Sequence, residues 1–114
     1  MKMKTVPTLA LLTLAAFGTP AQAINAAQQQ AIEHLGELNG TALQCGYFDQ
    51  TKRLKEAMVA NVPKVRALGA LFEEATDRSF MNNVQNKRPC PAPQQLSQAV
   101  SEGIEALRDA FTGN

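Results

Sequence analysis

Apolar residues after position 24 recur every three or four positions, the spacing of one face of an α-helix. No stretch alternates apolar and polar residues over the length of a strand. The stripes comprise Ala27, Ala31, Ile32, Leu35, Leu38 and Ala42, continued by Leu43, Tyr47, Leu54 and Met58; Val65, Leu68, Leu71, Phe72, Ala75 and Phe80; and Leu96, Val100, Ile104, Leu107 and Phe111. Since each stripe must be buried against the others, the pattern predicts an all-α fold, a small bundle of three to four helices.

The start of the first helix is well marked, but its end is not. Asn25 and Gln28 form a capping-box pattern, which favours a helix start at this point. Asn39 and Gly40 are a stop or kink signal, so either the first helix ends there or one longer helix bends there. Gly46 is a further candidate break in the same stripe. A break at Gly40 would make four helices, and a bend would make three.

Prolines mark the later boundaries. Pro63 suits a first helical turn, so we expect the next helix to run from Pro63 to about Val84. Residues 86–93 contain three prolines and predict an extended connector. The last helix is expected from about Pro93 to Phe111.

The first 23 residues have the pattern of a secretory signal peptide. Lys2 and Lys4 precede an uncharged run over residues 8–17, and Ala21 and Ala23 form an A-x-A site before an expected cleavage between Ala23 and Ile24. The run is too short to cross a bilayer, which needs roughly 20 apolar residues. An uncleaved membrane anchor is therefore the less favoured alternative. We expect residues 24–114 to be a single helical domain in the periplasm, with secretion as the alternative.

The charge balance argues against a polyanionic partner. Without the two signal lysines, nine Lys and Arg face ten Asp and Glu, a net charge of −1 with His34 neutral. Trp is absent and Tyr47 is the only tyrosine, so base stacking has little support. We expect no nucleic-acid partner and no membrane span after signal removal.

Cys45 and Cys90 are the only cysteines. In an oxidising compartment two cysteines are most simply one disulfide. A redox or zinc site is the alternative, but C-x-x-C spacing and a four-ligand set are both missing. A disulfide closing a loop of this length stabilises a fold by about 4 kcal/mol in the chain-entropy treatment.

Two clusters of polar residues are candidates for chemistry. His34 lies beside Glu33 and Glu37, but this set is thin for a metal, and a solvated helix face explains it equally. Glu73, Glu74 and Asp77 form an acidic cluster, and paired carboxylates can do acid–base work. No nucleophile motif accompanies either cluster. We expect no enzymatic activity and no cofactor.

A basic stretch is the main candidate for binding. Residues 49–66 contain five basic side chains against two acidic ones, and adjacent aromatic residues precede them. A surface aromatic residue beside positive charges suits an interface anchor, although an ordinary helix surface is the simpler reading. The candidate partner-binding residues are Tyr47, Phe48, Lys52, Arg53 and Lys55.

The plan of a signal peptide, a small helical domain and one pair of cysteines a few dozen residues apart resembles the HdeA-like acid-stress chaperones of the bacterial periplasm. The strings LNGTALQCG and PKVRALGALFEEAT look more like a small family of exported proteobacterial proteins to which we attach no activity. We expect a binding or adaptor protein whose partner is another periplasmic protein. The alternative, which the first resemblance implies, is an acid-stress chaperone that holds unfolded clients.

Overall fold

A computed structural model of the chain describes residues 23–112 as four α-helices joined by short loops. They are α1 (Ala26–Cys45), α2 (Phe48–Asn61), α3 (Arg66–Gln85) and α4 (Pro93–Thr112). No strand occurs between residues 23 and 112, and the predicted all-α bundle is confirmed. Residues 1–22 of the expected signal peptide lie outside the described residues. None of the four helices is long and apolar enough to cross a membrane.

α1 begins at the predicted capping box and continues through Gly40. The Gln28 amide donates to Asn25 Oδ1 at 2.8 Å, and Gln28 Oε1 accepts from the Asn25 amide at 2.9 Å. The helix ends at Gly46, whose φ of 75° is left-handed and suits glycine. We expected a break or bend at Asn39 and Gly40 to decide the number of helices. That expectation was wrong, because α1 continues to Cys45. Gly46 separates α1 from α2.

The loop between α2 and α3 also departs from the expectation. Pro63 does not lie in the first turn of a helix, since α3 begins only at Arg66. The Val62 amide caps α2 by donating to the Met58 carbonyl at 3.0 Å, and the Val62 side chain is buried. This anchoring holds residues 62–65 as an extended corner. The predicted connector and the start of α4 at Pro93 are confirmed.

α1 is the central helix, with extensive contacts to each of the other three, and α2 also packs on α4. α3 runs parallel to α1, because Gly36 faces Ala75 and Gly40 faces Ser79. α4 runs antiparallel to α1, because Gln28 reaches the Ala110 carbonyl near its end. The buried apolar core consists of Ala31, Ile32, Leu35, Ala42, Leu54, Ala57, Val62, Leu68, Phe72, Ala75, Leu96, Val100 and Leu107.

The contact between α1 and α3 is unusually close and partly polar. An ideal Cβ placed on Gly36 would lie 2.6 Å from the Phe72 carbonyl oxygen. Asn39 Nδ2 donates to Thr76 Oγ1 at 3.2 Å, and Ser79 Oγ donates to the Glu37 carbonyl at 2.8 Å. Small residues thus bring two helix backbones together, and side-chain hydrogen bonds link them.

The predicted disulfide joins Cys45 to Cys90, with Cα atoms 5.7 Å apart. It ties the proline-rich connector to the end of α1. The Tyr47 hydroxyl donates to the Pro91 carbonyl at 2.8 Å, and Gln44 Nε2 donates to the Arg88 carbonyl at 3.2 Å. Covalent and hydrogen bonds therefore fix the connector at the same corner.

Candidate protein-binding surface

The five candidate binding residues divide into two groups. Tyr47 is half-buried, packs against the core and donates its hydroxyl proton to Pro91. Arg53 is half-buried between α2 and α4, where Nη2 donates to Ser101 Oγ at 2.7 Å and Nη1 donates to Gln50 Oε1 at 2.8 Å. Both side chains hold the fold together at the α1–α2 corner and the α2–α4 contact.

The other three candidates face solvent along one line of α2. Phe48, Lys52 and Lys55 are exposed, and Val59 continues the line. Their spacing of four, three and four residues places them on one face of a helix. Phe48 and Val59 are each 65 % exposed, the highest values among the large apolar side chains of residues 23–112. We call these four residues the α2 stripe: two lysines between two exposed apolar side chains, about 16 Å long.

A shallow concavity lies at each end of the α2 stripe. Next to Phe48 a groove of about 280 Å³ is lined by Gly46, Tyr47, Asp49, Gln50 and Pro93. Next to Val59 a groove of about 320 Å³ is lined by Met58, Val62, Pro63, Lys64, Val65, Arg66 and Gly69. The second groove is lined mostly by apolar side chains, with Lys64 and Arg66 as its two cations. A partner side chain seated in either groove would therefore lie against one end of the stripe.

The other polar clusters lie elsewhere. His34 Nδ1 is 3.7 Å from Glu37 Oε1, and both side chains are more than half exposed. Glu73, Glu74 and Asp77 face solvent on α3. Between residues 23 and 112 no three His, Cys, Asp or Glu side chains converge as a metal site would require.

A groove of about 750 Å³ runs between α1 and α3 and includes His34, Glu37, Arg78 and Met81 in its walls. The groove is open to solvent and is lined by both polar and apolar side chains. No nucleophile with a partnered base lies in its walls, so its residues form no catalytic arrangement that we recognise.

Comparison of the chain with protein-family models, with curated proteins and with solved structures finds no match. Residues 23–112 therefore define only a structural class, a small disulfide-linked bundle of four helices.

Val59 belongs to this surface but is not among the binding residues predicted from the sequence. The signal for it was available, since Val59 stands eleven residues after Phe48 and so returns to the same helix face. Val59 also stands next to Met58, which packs against the core. An apolar residue beside a core position is easily assigned to the core.

Proposed function

We propose that this chain is a small exported adaptor, not an enzyme, that acts in the periplasm by docking the α2 stripe on another protein. The observation that supports it most is the combination of Phe48 and Val59, both exposed, with Lys52 and Lys55 between them. Exposed large apolar side chains on a small domain are typical of interaction sites. Aromatic anchors flanked by charge are typical of binding interfaces.

The chemistry of the α2 stripe defines the partner. Lys52 and Lys55 have no ion-pair partner within 4.0 Å among residues 23–112. Each of these two unpaired lysines lies four residues from an exposed apolar side chain, Lys52 from Phe48 and Lys55 from Val59. A complementary surface would therefore carry carboxylates flanked by apolar side chains. The partner is therefore a protein face that carries both, and positive charge on α2 accelerates its approach.

The disulfide supports the compartment. Cys45 and Cys90 are joined, and disulfides persist in oxidising compartments such as the periplasm. Secretion from the cell is the alternative location.

Affinity capture with a charge-reversed bait tests the proposal. The oxidised protein, purified after export of the full-length precursor, is immobilised and exposed to periplasmic extract from its own organism. Wild type should retain one protein in stoichiometric amount. Lys52→Glu/Lys55→Glu should reduce its retention at least tenfold, because like charges now face each other.

Lys87→Glu/Arg88→Glu is the matched control. It changes the net charge by the same amount, at two exposed residues of the connector. Equal retention by wild type and the control, with loss only in the α2 variant, supports the proposal. Equal retention by all three baits, or no specific retention, contradicts it.

An acid-stress chaperone is the second candidate, and the contact between α1 and α3 favours it. Asn39 is buried there, and within residues 23–112 its Oδ1 has no hydrogen-bond partner. In strong acid the ten carboxylates are neutralised, while nine Lys and Arg and His34 stay positive, so the charge of residues 24–114 approaches +10. Self-repulsion would then loosen the bundle, whose α1–α3 contact already carries the unpaired Asn39 Oδ1, and expose apolar surface.

Near-UV circular dichroism and a client-aggregation assay at acid pH test this second candidate. Loss of the tertiary signal together with delayed aggregation of an unfolded client is the expected result. A protein that keeps its neutral-pH spectrum in acid and leaves client aggregation unchanged is not such a chaperone.

A further inference from the structure

The solvent face of α3 repeats the frame of the α2 stripe with the opposite charge. The α2 stripe consists of Phe48, Lys52, Lys55 and Val59. On α3 the residues at the same spacing, at a constant offset of 22, are Ala70, Glu74, Asp77 and Met81. We call this second set the α3 stripe. Two acidic residues stand where the two lysines stand, and apolar residues occupy both ends of each set.

The α3 stripe is available for contact. Glu74 and Asp77 are exposed and, within residues 23–112, have no ion-pair partner within 4.0 Å. Met81 is 50 % exposed, and Val84 beside it is also exposed. Ala70 is half-buried. α3 buries its opposite face on α1 and shares no extensive contact with α2, so the two stripes are not used against each other within one molecule.

We infer that the α2 stripe of one molecule docks on the α3 stripe of a second copy. This inference rests on the proposed function, because it names the partner of the same α2 surface. In a parallel, in-register alignment Lys52 meets Glu74, Lys55 meets Asp77, and Val59 meets Met81. Phe48 then lies over Ala70, whose small side chain leaves room for the ring.

The spacing suits such a pairing. Steps of four, three and four residues form the seam along which two helices pack at a shallow crossing angle. From first to last residue, each stripe covers eleven steps along its helix, about 16 Å. The contact is heterologous, since different surfaces of the two copies meet, and it therefore generates rings or chains unless two such contacts close a dimer.

The association is weak and sensitive to salt. Two helical stripes bury less surface than a standard permanent interface. Exposed charges are screened within about 10 Å at 0.1 M ionic strength. We therefore expect the weight-average mass to rise with protein concentration at low salt and to fall towards the monomer value as salt is added.

Sedimentation equilibrium of charge-reversed variants tests the inference. Lys52→Glu/Lys55→Glu leaves acidic residues on both stripes, and Glu74→Lys/Asp77→Lys leaves basic residues on both. Each variant alone should self-associate at least tenfold more weakly than wild type. Mixing the two should restore association, because each copy then meets its complement. All four positions are exposed, so the substitutions spare the core.

Lys87→Glu/Arg88→Glu is again the control and should associate as wild type does. A wild type that stays monomeric at low salt and high concentration overturns the inference. So does a mixture of the two variants that remains monomeric. The two claims fail separately. If Glu74→Lys/Asp77→Lys still captures a different protein that Lys52→Glu/Lys55→Glu loses, the α2 stripe binds that protein; the self-association is then wrong and the proposed function stands. If Lys52→Glu/Lys55→Glu captures the same proteins as wild type, the proposed function is wrong.

Discussion

Gly36 and Gly40 lie inside α1, where glycine costs about 1 kcal/mol relative to alanine. Their role lies in the neighbouring helix. A Cβ on Gly36 would meet Ala75 Cβ and the Phe72 carbonyl oxygen, each at 2.6 Å, and a Cβ on Gly40 would meet Ser79 Cβ at the same distance. The stability lost locally is offset by close packing between α1 and α3.

Gly36→Ala should therefore destabilise the protein in spite of the better helix propensity. The Phe72 carbonyl is part of the α3 backbone, so it can yield only if the helices separate. Overpacking of this kind costs about 1–3 kcal/mol. We expect chemical denaturation to give a free energy of unfolding lower by roughly 1–2 kcal/mol after the propensity gain is included.

Gly69→Ala is the matched control, because Gly69 also lies within a helix and its Cβ would meet nothing within 4 Å. This substitution should raise the free energy of unfolding by about 0.5–1 kcal/mol. If both variants shift stability in the same direction, the close contact at Gly36 does not determine its effect.

At the scale of the elements, the local sequence predicts some helix boundaries correctly and others incorrectly. Pro89, Pro91 and Pro93 restrict the backbone directly, so the connector and the start of α4 are where the sequence indicates. An Asn-Gly pair such as Asn39 and Gly40 can end a helix, but a glycine inside a helix can equally mark a close contact with a neighbouring helix. Only the position of Ser79, about forty residues later, decides between the two. The prediction that Pro63 begins a helix was wrong because the buried Val62 side chain holds residues 62–65 as an extended loop.

The candidate surface divides in the same way. Helical spacing from the sequence is sufficient to place Phe48, Lys52 and Lys55 on one face. The roles of Tyr47 and Arg53 depend on Pro91 and Ser101, which are 44 and 48 residues away. Such long-range contacts leave no local pattern, so the sequence could not separate these two side chains from the exposed ones.

The disulfide joins the end of α1 to the connector before α4, so its removal should lower the stability of the whole bundle. Cys45 and Cys90 are 45 residues apart. Cys45→Ser/Cys90→Ser, or reduction of wild type, should lower the free energy of unfolding by about 4 kcal/mol through the larger entropy of the unfolded chain. The double variant must be insensitive to reductant. Equal stability of the oxidised and reduced wild-type protein would contradict a stabilising role of the disulfide.

At the scale of the whole molecule, charge is distributed unevenly although its sum is small. Lys52, Lys55, Lys64 and Arg66 make α2 and the following corner basic, whereas Glu73, Glu74 and Asp77 make the middle of α3 acidic. A near-neutral chain with two opposed faces has little long-range attraction for polyanions. Its electrostatics act at short range, on a surface of matching shape and charge, which suits the proposed adaptor function.

Site-specific photo-crosslinking in living cells tests the use of the α2 stripe most directly. A photoreactive phenylalanine derivative replaces Phe48 in the full-length precursor, and in a control chain it replaces Gln98, which is exposed on α4. We predict a discrete covalent adduct at position 48 and none at position 98, and the adduct mass identifies a second copy or another protein. No adduct at position 48, or equal adducts at both positions, would contradict docking through α2.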